Sequence, residues 1–169
     1  MMARDVLEAF FFDLLDDPSE EVFAALRRAH PDAVDAALAY LRARYIDGVA
    51  PTAPWETMAP FISVVRMILV SGGPAAARAL FAIAIDAPDP RQQRALADIV
   101  LGVLPPDELA RALIAALMLG PADPLAVNAR ELAYHTFGAA GDDYAPSAAL
   151  RDQLAASLAA SRSGPAARP

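Results

Sequence analysis

The sequence predicts an all-α protein, and three observations carry that expectation. Alanine makes up much of a hydrophobic fraction of 56%; it is the strongest helix former and is depleted in strands. Apolar residues recur at helical spacing through most of the chain, as at Leu109, Leu113, Ile114, Leu117 and Met118. The fifteen prolines fall mostly at the edges of those stretches, where a residue without an N–H and with a preset φ marks a helix start. Four of them, Pro18, Pro54, Pro90 and Pro124, stand 36, 36 and 34 residues apart. A period of that length marks stacked helical hairpins, because one hairpin cannot bury its apolar face alone. The expected architecture is a short right-handed α-solenoid of antiparallel hairpins, with a closed helical bundle as the alternative.

Each element has its own warrant. The first helix is expected over residues 3–15, where Val6, Leu7, Phe10, Phe11, Leu14 and Leu15 form one stripe. Asp17-Pro18-Ser19-Glu20 reads as an N-cap, an N1 proline and an acid at N3, which starts a second helix reaching residue 29. His30-Pro31 ends it, since the residue before proline is pushed out of the α region. A third helix spans residues 32–46 and buries Val34, Leu38, Leu41 and Tyr45 before Asp47-Gly48 stops it. Residues 49–59 are the least regular; either a turn of helix precedes Pro60 or a kinked helix runs over 54–70. Ser71-Gly72-Gly73-Pro74 is a stop followed by a start. Helices follow over residues 75–85 and 90–104, then one opened by Pro105-Pro106-Asp107-Glu108, another over 124–138, and a last over 147–160 burying Leu150, Leu154 and Leu158. Residues 1–160 are expected to form one domain and residues 161–169, small and polar, a disordered tail.

The repeat leaves traces in the residues themselves. Ala77-Arg78-Ala79-Leu80 returns as Ala110-Arg111-Ala112-Leu113, and Asp-Pro pairs stand at 17, 89 and 123. Asp89-Pro90-Arg91 through Leu101-Gly102 resembles the second helix of a HEAT-type repeat, as does Asp123-Pro124 through Phe137-Gly138. The resemblance covers residues 74–138 and implies a stack of helical hairpins that binds other proteins. The Trp, Leu-Gly and Tyr positions that tetratricopeptide repeats require are missing.

Composition excludes several chemistries. All fourteen basic residues are arginine and there is no cysteine, so lysine Schiff bases, phosphate-loop lysines, thiol nucleophiles and thiolate metal sites are ruled out. No serine lies in Gly-x-Ser-x-Gly, and the glycines lack phosphate-loop or dinucleotide spacing. A net charge of −7 opposes nucleic-acid binding, where phosphate neutralisation supplies most of the affinity. The longest apolar run, over residues 61–70, is interrupted by Arg66, so no membrane span is expected. Acids within Met1–Glu8 occupy the place of a signal peptide's uncharged run, which makes the expected location cytoplasmic.

Few residues stand out as functional. Glu131 and His135 at i, i+4 share a helix face and could meet a metal, but the same spacing serves a solvated ion pair, and no metal or cofactor is expected. His30 suits a helix C-terminus better than catalysis. Arg27, Arg28, Arg42 and Arg44 gather with Tyr40 and Tyr45 on the second and third helices of an otherwise acidic chain. Arginine and tyrosine are enriched in binding hot spots, so Arg27, Arg28, Tyr40, Arg42 and Arg44 form the candidate partner surface. Ser63 and Arg66 share a face among Val, Ile, Met and Phe, where the guanidinium must reach water, a carboxylate or a ligand anion. The expected function is non-enzymatic protein binding, as an adaptor, assembly factor or chaperone-like binder, with the acidic field suiting a basic protein or peptide. The alternative is a ligand-binding or enzymatic pocket between helices using Arg66, Tyr134 and His135.

Overall fold

The computed structural model describes residues 24, 28, 32–47, 58–138 and 144–162. Every regular element among them is helical, so the protein is all-α. Six α-helices follow in order: α1 (Ala33–Leu41), α2 (Met58–Asp86), α3 (Pro90–Val100), α4 (Pro106–Leu117), α5 (Pro124–Gly138) and α6 (Ala148–Arg162). The chain divides into two compact units, Met1–Leu80 and Phe81–Pro169. The helix expected over residues 3–15 and the Asp17-Pro18 cap lie outside the described residues.

In the first unit α1 continues as a π-helical turn over Arg42–Ile46, closed by Asp47 N–H donating to the Arg42 carbonyl at 2.8 Å. The sequence reading gave one regular helix here. A π-turn spans five residues rather than four, so Ile46 joins Ala37 and Leu41 in the core. Val34 and Leu38 are only half-buried. The next helix starts at Met58, which puts Pro60 in its first turn, where no N–H is needed. It breaks at Gly73, whose φ of 57° and ψ of −144° are not helical, just where Gly72-Gly73-Pro74 signals a stop. A Cβ built on Gly72 would lie 2.9 Å from Val34 Cγ1 and 2.4 Å from Ala76 Cβ, so the missing side chain lets α1 approach α2 closely. Val65–Asp86 is long and apolar enough, by length and composition, to cross a membrane, and half of it is buried within the protein. An average over that length tolerates Arg66 and Arg78, which a search for an unbroken apolar run does not.

The second unit is built from α3 to α6 with the end of α2. The proline signals are read correctly at three starts. Pro90, Pro106 and Pro124 each open their helix. Asp89 and Asp123 each accept a hydrogen bond at 2.9 Å from the N–H two residues on, Arg91 and Leu125, as N-cap residues do. The third helix ends at Val100 rather than at residue 104, and a turn follows in which Leu104 N–H bonds the Val100 carbonyl. Gly102 weakens helix there, and Leu104 precedes a proline.

Leu109, Leu113, Ile114 and Leu117 of α4 are buried as the periodicity predicts, but Met118 is 75% exposed. The helix stops at Leu117 and Gly120, with φ 109°, turns the chain away. Small residues Ala126, Ala129 and Ala133 form the buried side of α5 with Leu132 and Thr136. Leu154 of α6 is buried, Leu150 and Leu158 partly so. The last helix also takes in Ser161 and Arg162, the first two residues assigned to a tail. The packed pairs are α4 with α5, α4 with α6, α3 with α5 and, least extensively, α5 with α6.

Two side-chain amides close the end of α2. Gln93 Nε2 donates to the Ala87 carbonyl at 2.6 Å, and Asn128 Nδ2 donates to the Ile85 carbonyl at 2.9 Å and to Ala87 at 3.3 Å. The last carbonyls of a helix have no partner within it; here α3 and α5 supply them. At the other end of the unit Tyr144 hydroxyl donates to the Leu104 carbonyl at 2.9 Å, and its ring stacks on Phe137. Burial pushes the Tyr144 hydroxyl pKa up from its ordinary value. Asp107 accepts from Ser147 N–H at 2.7 Å, which fixes the entry into α6.

The Asp89 cap has a pH signature. Arg91 grips the Asp89 carboxylate through Nε at 3.1 Å and Nη2 at 2.7 Å. This side-chain bond holds the Asp89 pKa below the usual carboxylate range, against an opposing push from burial. A carboxyl whose folded pKa is depressed stabilises the fold above its unfolded pKa, about 3.9, and loses that contribution as pH falls through the lower folded value. Asn caps as well as Asp but carries no charge. Asp89→Asn is therefore expected to melt below the parent at pH 6, with the gap narrowing below about pH 4; thermal melts at both pH values check this, and a gap independent of pH refutes it.

Candidate interaction surface

The Arg/Tyr group belongs to the first unit. Arg27 lies outside the described residues. Arg28 is helical and exposed. Tyr40 occupies the last part of α1, and Arg42 and Arg44 belong to the π-turn. A five-residue turn needs more room than an α-turn and is rare in proteins, where it is frequent at functional sites. It is the one irregularity in this helix, and it falls on the candidate residues. Arg42 Nε sits 3.3 Å from Asp47 Oδ2, with both side chains about half exposed. An exposed pair of that kind contributes about 0–1 kcal/mol.

Ser63 and Arg66 both lie on α2. The apolar surroundings of Arg66 call for water, a carboxylate or a ligand anion at its guanidinium; Arg66 is exposed, while Val65, Met67 and Ile68 turn inward.

The histidine on α5 finds a partner the spacing did not suggest. His135 Nε2 lies 2.6 Å from Asp98 Oδ1 of α3, whereas Glu131, one turn before it, is exposed. Among the described residues no group of three or more His, Asp or Glu side chains gathers to hold a metal ion. The neighbouring residue, Tyr134, is 41% exposed and lies under the Arg162 guanidinium, 5.3 Å from its ring centroid. Sequence reasoning missed this Arg/Tyr contact. Its partners stand far apart in the chain and meet only because α6 folds back beside α5.

Val127, Glu131 and Tyr134, at i, i+4 and i+7, make one solvent-facing row on α5. Among the described residues Arg130 Nε and Thr136 Oγ1 are buried without a hydrogen-bond partner. The geometry therefore presents an exposed Arg28 and a half-exposed Arg42 in the first unit, and exposed Tyr134 and Arg162 in the second, where His135 pairs with Asp98. Comparison with family models, with curated proteins and with solved structures finds no match to this chain.

Proposed function

We propose that this chain is a non-enzymatic protein-binding module, an adaptor, assembly factor or chaperone-like binder, built as a short right-handed HEAT-like solenoid. The observation that carries this reading is the packing of helices two apart, α3 beside α5 and α4 beside α6. Two layers of alternate helices generate such pairs. The Asp-Pro caps of α3 and α5 add the feature shared with HEAT-type helices. A layered stack leaves one face of each helix open along its length, and that open area is what repeat proteins use to bind.

The acidic field of the chain, −7 overall, draws in a basic protein or peptide and repels nucleic acid. Arg28, Tyr40, Arg42 and Arg44 supply the anchoring contacts, to carboxylates and carbonyls of that partner rather than to its basic groups, and the protein works in the cytoplasm without inserting its apolar helix in a membrane. The exposed position of Arg66 favours this reading over an enclosed ligand pocket at that residue.

The test is capture of partners from the source cells by the tagged full chain, with mass spectrometry to identify them. Arg42→Glu with Arg44→Glu is expected to reduce capture at least tenfold, which corresponds to about 1.4 kcal/mol. The melting temperature should stay nearly unchanged, because the exposed Arg42–Asp47 pair contributes little to stability. Undiminished capture by that variant removes the patch, and recovery of the chain in the membrane fraction after flotation removes the soluble-adaptor reading.

A further inference from the structure

We draw no further inference here: the strongest candidate, the exposed apolar tip of the α4–α5 hairpin formed by Met118, Leu119 and Val127, is an unpartnered surface patch, and nothing in the structure shows what covers it.

Discussion

Leu113→Ala is expected to lower the unfolding free energy by about 2–5 kcal/mol, the range for deleting a fully buried leucine side chain. Leu113 sits at the middle of α4 with no solvent exposure. Its helix packs on α5 and on α6 together, so the lost methyl groups leave a gap that no single helix can close by moving inward. The neighbours on its own helix, Leu109, Ala110, Ile114 and Leu117, are also buried, and a close-packed interior relaxes only in part. Met118→Ala is the matched control. The sequence places Met118 on the same stripe, yet it is three-quarters exposed, and its truncation should change stability by less than about 0.5 kcal/mol. Urea denaturation followed by circular dichroism measures both. Equal losses for the two would mean that α4 does not present the face described.

Gly73→Ala should cost about 1–3 kcal/mol although the new methyl group meets nothing, because the penalty lies in the backbone. With φ 57° and ψ −144°, Gly73 occupies a conformation essentially confined to glycine. No atom lies within 4 Å of a Cβ built there, so overpacking contributes nothing. The chain cannot escape by making α2 continuous, since Pro74 follows and would break a regular helix at that point. Gly102→Ala tests the distinction. Gly102 has equally open surroundings and no positive φ, so alanine there should be neutral or stabilise by up to about 1 kcal/mol through the unfolded chain. A Gly73→Ala protein that melts like the Gly102→Ala protein would show that the break in α2 relaxes freely.

What the sequence made legible was local. Asp89-Pro90 and Asp123-Pro124 announce helix starts because cap and first turn are neighbours in the chain. Gly73-Pro74 announces the break for the same reason. The all-helical class follows from alanine content and periodicity, which need no knowledge of the partner helix. Distant pairings were not legible. Asp98 reaches His135 across 37 residues, and Asn128 reaches Ile85 across 43; each pair is set by how α3 and α5 lie against their neighbours. The exposure of Met118 depends on where α4 ends, and a one-residue difference in a helix end moves a side chain from core to water.

The candidate surface divides the same way. Its composition can be read from Arg28, Tyr40, Arg42 and Arg44, because arginine and tyrosine stand out in an acidic, alanine-rich chain. The π-turn that carries two of them could not be foreseen, since Arg-Ala-Arg-Tyr-Ile is an acceptable α-helical sequence. The Arg162–Tyr134 contact was hidden by distance, and by the expectation that the chain loses order at residue 161.

The two amides that meet at Ala87 make the bend between α2 and α3 a measured joint. Gln93 fixes it from the helix that follows and Asn128 from a helix 41 residues further along. Most surface connections accept extra residues at small entropic cost, but this one has a set length. Adding a residue at Pro88-Asp89 would carry Gln93 out of reach of the Ala87 carbonyl, and leave Asn128, which also holds Ile85, as the sole amide at the joint. Growth of this protein by insertion is thus closed at that corner and must be sought elsewhere on its surface.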